Sequence, residues 1–202
     1  MKKIVTIARE FGSGGRYIGK LAAEKLGYKF YDKELIMMMS KESGLSDEFI
    51  EEAGEKITNS MLFNVAMGGV YLNPGYNNTL MPLSDKLFVV QSNIIKRIAE
   101  EGPCVIVGRC ADYILKERDD CLNVFIHCPD EQKAERATKI YNMPEKNIEK
   151  EIKRRNKARS SHYYYYTGLD WGSPSNYDIV LNSGSLGADM CADIIADIAK
   201  NC

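Results

Sequence analysis

Apolar residues fall in two arrangements along this chain. One short unbroken run, Cys104 to Val107, and two largely apolar ones, Ile4-Val5-Thr6-Ile7-Ala8 and Leu122 to His127, alternate with longer stretches where apolar positions recur every three or four residues. Unbroken runs of that length suit strands buried on both faces, whereas the three-to-four spacing suits amphipathic helices. After the first run, Arg16 to Leu26 carries Ile18, Leu21, Ala22 and Leu26 on one helical face, and Gly27 stops it. Lys29-Phe30-Tyr31 predicts a short second strand ending at Asp32, and Glu34 to Ser43 predicts a second helix, with Met37 to Met39 as packing filler. Ser46 is placed to cap a helix through Glu55, and Ser84 to cap another carrying Leu87, Val90, Ile94, Ile95 and Ile98 up to Gly102-Pro103.

The rest continues the alternation. A helix is predicted over Asp130 to Ile140, and Pro144 opens one running to about Ser161. Ile179 to Leu181 reads as a last strand, Asn182-Ser183-Gly184 as a turn, and Ala188 to Ala199 as the closing helix. Strands separated by helices predict an α/β class, a parallel sheet with helices on both faces, and ligands in such sheets lie beyond the carboxyl ends of the strands. Four polar clusters fall at those ends: the turn Gly12-Ser13-Gly14-Gly15, Asp32, Gly108-Arg109 and Asn182-Ser183. Between 57 and 82 the pattern weakens. Gly68-Gly69, Asn73-Pro74-Gly75 and Asn77-Asn78 mark turns, so this segment reads as a variable insertion that covers the site or meets a partner.

Composition narrows the field. A chain of 202 residues, 45% hydrophobic, suits one domain rather than two. Its 27 basic and 28 acidic residues give a net charge of −1, which disfavours a nucleic-acid partner, so any anion site is local. No window approaches a membrane span and Met1 to Ile7 is too short for a secretion signal, so a cytoplasmic location with no membrane partner is expected. Six cysteines without a Cys-x-x-Cys pair, and only His127 and His162, form no metal-ligand pattern; reduced, buried thiols are expected instead.

The glycine turn carries the sharpest chemistry. Glycines let successive N–H groups converge, and a helix beginning near Gly15 adds its positive end, so the natural occupant is a phosphate. The P-loop pattern G-x-x-x-x-G-K-[ST] is not met: with Gly14 at its second glycine, Arg9 stands at the first, Gly15 at the lysine and Arg16 at the hydroxyl residue. A second anomaly is Ile152 to His162, which holds Lys153, Arg154, Arg155, Lys157 and Arg159 with no acidic residue and precedes four tyrosines, Tyr163 to Tyr166. Such a run is either a solvated helix face or an anion-binding one. The tyrosines beside it resemble a stacking platform for single-stranded nucleic acid, but on a continuing helix at least one must point inward.

Ile7-Ala8-Arg9-Glu10-Phe11-Gly12-Ser13-Gly14-Gly15-Arg16 with Ile18-Gly19, Phe30-Tyr31-Asp32-Lys33-Glu34-Leu35, Val105-Ile106-Val107-Gly108-Arg109-Cys110-Ala111-Asp112-Tyr113, and Tyr166-Thr167-Gly168 through Trp171-Gly172 to Ser175-Asn176-Tyr177-Asp178 together resemble the cytidylate kinase-like family. That family is a divergent branch of the P-loop nucleoside monophosphate kinases. The resemblance implies a three-layer P-loop NTPase-like fold over 1–202, with an NMP-binding insertion and a basic lid over 144–170. It implies ATP and Mg²⁺ as cofactors and a small-molecule nucleotide or other phosphate-bearing acceptor, CMP or dCMP first.

The implied roles follow the motifs. ATP phosphates would meet Gly12, Ser13, Gly14, Gly15, Arg16 and Tyr17, with Arg16 in place of the missing lysine and Asn182 and Ser183 near the adenine. Asp32, Lys33, Arg109, Asp112, Arg154 and Lys157 would bind the acceptor. Arg16, Arg109, Arg155 and Arg159 would stabilise the transferring phosphoryl group. For Arg109 the structural alternative is an ion pair with Asp112 or another carboxylate, and for Asp32 a helix cap. Three departures from ordinary cytidylate kinases stand out: Gly15 in place of the P-loop lysine, Val107 in place of an aspartate before Gly108-Arg109, and Asn156 where the lid commonly has an acidic residue. They leave open a noncatalytic nucleotide or phosphate sensor, and a module that uses 57–82 to bind a protein or form a homodimer.

Overall fold

The computed structural model describes residues 1–50 and 82–202. Five strands form one parallel sheet: β1 (Ile4–Arg9), β2 (Lys29–Tyr31), β3 (Cys104–Val107), β4 (Cys121–His127) and β5 (Ile179–Asn182), in the order β2-β3-β1-β4-β5. The helices of the described residues are α1 (Gly15–Leu26), α2 (Lys33–Ser43), α3 (Leu83–Glu101), α4 (Ala111–Ile114), α5 (Asp130–Lys139), α6 (Ile148–Thr167) and α7 (Ser183–Asn201).

The unbroken apolar runs are what a sheet covered on both faces requires. Ile4, Cys104 and Ile106 pack on one side with Leu35, Met39, Ile94, Ile95 and Ile98 of α2 and α3. Val5, Ile7, Val105 and Val124 pack on the other with Ile18 and Ala22 of α1 and Ile195 and Ala199 of α7. β1 lies at the centre: the chain runs from it through β2 and β3 on one side before crossing to β4 and β5 on the other, and its carboxyl end opens at the crevice where ligands bind in sheets of this kind.

Several boundaries differ from the sequence expectation. Ser84 lies inside the first turn of α3 rather than capping it; Pro82 stands at the cap, and Ser84 Oγ is 3.4 Å from Asp85 Oδ1. The helix expected from Pro144 starts only at Ile148, because Asn147 adopts a left-handed conformation (φ 66°) that a helix interior does not accept. It then runs past Ser161 to Thr167, taking all four tyrosines into the helix, and Gly168 ends it. Ser183 and Gly184 are helical rather than a turn, since Asn182 Oδ1 accepts from the Gly184 N–H at 3.0 Å and starts α7. A break at Gly187 (φ 76°) separates that first turn from the helix expected at Ala188. Residues 47–50 are helical and the Phe49 N–H donates to Ser46 Oγ at 3.3 Å; the rest of the helix expected to Glu55, and the insertion at 57–82 apart from Pro82, lie outside the described residues.

Candidate active site

Two adjoining cavities open beyond the carboxyl ends of β1, β2 and β3. One, of about 460 Å³, is bordered by the glycine turn, with Gly12, Gly14 and Gly15 in its wall beside Tyr141 and Met143. The other, of about 260 Å³, lies between Asp32 and Lys33 after β2, Gly108 and Arg109 after β3, and His162 and Tyr163 of α6. Arg9, Arg16, Lys33, Arg155 and Arg159 border both. With Arg109, six cations face the smaller cavity against two carboxylates, Asp32 and Asp112. On a chain of net charge −1 such convergence is a local positive field of the kind that attracts polyanions.

The turn is held from below. Lys133 of α5 is buried and its ammonium contacts Glu10 at 3.0 Å and Asp130 at 2.6 Å. Burial lowers the Lys133 pKa, but the two carboxylates outweigh it and leave it raised overall, so the group stays charged. Glu10 also accepts from the Cys128 N–H at 3.2 Å, and Arg136 donates to the Gly12 carbonyl at 2.5 Å. Gly12 sits at φ 82° against α5, where a Cβ would stand 2.9 Å from the Lys133 Cβ and carbonyl oxygen. Ser13 turns inward: its Oγ donates to the Glu10 carbonyl at 2.9 Å and accepts from the Gly15 N–H at 3.3 Å, while its own N–H donates to the Glu10 carbonyl at 3.3 Å. The amides of Ser13 and Gly15 are therefore engaged within the turn rather than presented together with those of Gly12 and Gly14.

Asp32 directly follows β2. It stands at the cap of α2 but makes no side-chain cap bond; its carboxylate lies 2.5 Å from Arg16 Nε and 3.7 Å from Arg9 Nη2. Asp112 is buried and accepts from the Tyr163 hydroxyl at 2.6 Å, and burial raises its pKa while that hydrogen bond works the other way. Arg109 and Cys110 both adopt left-handed conformations (φ 61° and 54°), and Gln91 Nε2 donates to the Arg109 carbonyl at 2.8 Å, fixing the tight bend after β3. His162 lies beside this bend, its Nδ1 3.7 Å from Cys110 Sγ. Burial, with Arg109 adding to it, pushes its pKa down to about 4.

The basic segment is divided by α6. Arg155 and Arg159 face the cavities, their guanidinium groups 4.6 and 5.7 Å from the Phe11 ring centre, and Arg159 Nη1 donates to the Arg9 carbonyl at 3.0 Å. Arg154 and Arg155 both bond to Glu151, which holds that carboxyl down at about 2. Arg154 and Lys157 border neither cavity, and Lys157 is exposed. Of the tyrosines, Tyr163 is buried, Tyr164 and Tyr165 are exposed, and Tyr166 stacks on Phe88 at 3.9 Å. Tyr17 is also exposed and borders neither cavity.

Asn182 and Ser183 are likewise absent from both walls. Ser183 is buried and donates to the Ser13 carbonyl at 2.6 Å, so it ties α7 to the turn. The sequence assigned no role to Arg9, Lys133 or Arg136, and it marked Asn156 only as a departure in the lid; Asn156 Oδ1 accepts from the Phe11 N–H at 2.7 Å and fastens α6 to the turn. Among the described residues no three His, Cys, Asp or Glu side chains converge to hold a metal ion, and no helix is long and apolar enough to cross a membrane.

A parallel sheet flanked by helices, with a glycine turn leading into a helix, is a P-loop NTPase-like α/β fold, and the family match places the chain in the class of kinase-like phosphotransferases. The chain belongs to the cytidylate kinase-like family, which it matches over residues 4–185. It is 25% identical to a cytidylate kinase of Archaeoglobus fulgidus over 95% of this chain and 91% of that one. A crystal structure of an uncharacterized protein from Eubacterium ventriosum superposes with a TM-score of 0.72 at 25% identity over the whole of both chains. A shikimate kinase from Bacteroides thetaiotaomicron shares the fold alone, with a TM-score of 0.57 at 12% identity over 99% of each chain.

Proposed function

We propose that this protein is an ATP- and Mg²⁺-dependent kinase that transfers the γ-phosphoryl group to a nucleoside monophosphate, CMP or dCMP first, within one domain spanning 1–202. The observation that carries the reading is the meeting of two cavities along one shared row of cations. Phosphoryl transfer asks the protein for alignment and charge neutralisation rather than covalent chemistry, so two anion sites sharing a cationic boundary suit it.

In this reading the glycine-turn cavity takes the triphosphate and the smaller one the acceptor. Arg109 grips the acceptor phosphate in a bidentate pairing, and Asp32 and Lys33 orient the acceptor from the end of β2. Arg16, Arg155 and Arg159 stabilise the charge of the group in passage. Bound Mg²⁺ supplies charge shielding between the donor phosphates. The region 144–170 acts as the lid, its basic helix α6 being anchored at the turn through Asn156 and Arg159. Family membership and the likeness to the Archaeoglobus fulgidus cytidylate kinase support the reaction class; the acceptor is inferred from the same membership.

The test is ADP release from ATP and Mg²⁺ with CMP, dCMP, UMP, AMP, GMP and a panel of small hydroxylated metabolites. One nucleoside monophosphate should accelerate it, and Arg109→Ala should slow that turnover by about 10²- to 10³-fold, the scale of one lost transition-state contact. ADP release that no nucleoside monophosphate accelerates would refute the proposal.

A further inference from the structure

The P-loop pattern has glycine at its first position and lysine at its seventh; here those positions hold Arg9 and Gly15, the reverse arrangement. The structure shows why the two change together. A Cβ built on Gly15 would lie 2.5 Å from the Arg9 Cβ and 3.0 Å from its Cγ, so only one of the two positions has room for a side chain. Gly15 sits on α1 without a left-handed φ, so its backbone does not require glycine; the stem of Arg9 does. From there the side chain runs across the floor of the site to the end of β3. Its Nη1 stands 1.8 Å from where a Gly108 Cβ would be, and Gly108 (φ 73°) leaves the space for it.

We propose that Arg9, not Arg16, supplies the cation that the P-loop lysine supplies elsewhere: its stem fills the place from which that lysine would spring, and its guanidinium serves the phosphates at the junction of the two cavities. Arg9 borders both cavities from a position 20% exposed, while Arg16 is 55% exposed at the rim with its Nε on Asp32. An arginine held between the first strand and the end of the third is also fixed in direction along its stem, where a lysine is a flexible point charge.

This assignment rests on the phosphotransferase reading, so the experiment separates the two. Wild type, R9A, G15K and R9G/G15K are titrated calorimetrically with inorganic tripolyphosphate and with MgATP, after circular dichroism and thermal midpoints establish which variants are folded. R9A should bind tripolyphosphate about 10- to 100-fold more weakly, the effect of one charge-assisted contact. G15K alone should lower the thermal midpoint because its Cβ collides with Arg9, whereas R9G/G15K should fold and regain most of the lost affinity. Should R9A not fold, the regained binding and midpoint of R9G/G15K relative to G15K decide the matter. A folded R9A that binds tripolyphosphate as wild type does, or a double variant that stays weak, overturns the role of Arg9. Wild type that binds tripolyphosphate but not ATP sinks the kinase reading while the Arg9 comparison still stands; wild type that binds neither overturns both.

Discussion

His162 gives the site a pH dependence that can be worked out from its surroundings. Its imidazole packs against Cys110 Sγ at 3.7 Å and the Tyr166 ring at 4.9 Å, and burial together with Arg109 lowers its pKa to about 4. In the unfolded chain it returns to about 6.5. A folded-state pKa below the unfolded one means that the folded protein resists protonation. The stabilising effect is fully present above the unfolded value and is lost as pH falls from about 6.5 toward 4. Between pH 7 and pH 5 the linkage relation then gives a loss of about 2 kcal/mol from this one group.

Urea unfolding at the two pH values, compared between wild type and His162→Gln, isolates the contribution, because titrating carboxylates affect both proteins alike. The variant should show about 2 kcal/mol less destabilisation at pH 5. With only two histidines in the chain, His127 and His162, an imidazole NMR titration reads the pKa directly. The same titration in phosphate should move His162 upward, because an anion on Arg109 cancels part of the field that opposes protonation. An imidazole that titrates near 6.5 in the free protein, or a variant with the wild-type pH response, refutes the placement of His162 beside the buried bend.

Two further substitutions test the supports of the turn. Ser183→Ala removes the donor to the Ser13 and His127 carbonyls (2.6 and 3.1 Å) in a buried position, so urea unfolding should show a loss of about 1–3 kcal/mol, with the secondary structure unchanged by circular dichroism. No measurable loss would mean that α7 is not tied to the turn there. Gly108→Ala places a Cβ on Arg9 Nη1 at a left-handed position; it should cost about 1–2 kcal/mol for the backbone alone and weaken tripolyphosphate binding as R9A does. Wild-type binding by this variant would count against the path drawn for the Arg9 side chain.

The strands were legible because burial on both faces leaves unbroken apolar runs, and β2 and β3 have the bounds their sequences predict. Helix ends were legible where a glycine stands, at Gly27, Gly44 and Gly102, and misread where an asparagine took the left-handed role, at Asn147. The four tyrosines defeated pattern reading for a different reason: adjacent aromatics carry no period. Tyr163 faces inward because Asp112 is there to accept from it, and Tyr166 lies flat on Phe88. The site was legible where local order brings its parts together, at the glycine turn, Asp32-Lys33 and Gly108-Arg109, with Arg155 and Arg159 joining from α6. It was not legible for Lys133 and Glu10, 123 positions apart, or for Asn156 and Phe11, 145 apart, because nothing in either segment announces its partner.

The reversed glycine and cation show how a motif can fail while the physical arrangement behind it remains testable. A P-loop pattern reads residue types at fixed positions, yet a phosphate responds to where charge and backbone donors lie, not to which residue carries them. Here the first strand's last residue and the first helix's first residue compete for one volume, so the pair is constrained as a unit: arginine with glycine, or glycine with lysine. Scored one position at a time, each looks like a loss. Gly108 extends the unit, since its missing Cβ is filled by the same guanidinium, and that explains why a glycine at φ 73° follows the third strand. A sequence that kept Arg9 but lost Gly15 or Gly108 should therefore lose the phosphate site as surely as one that lost the arginine.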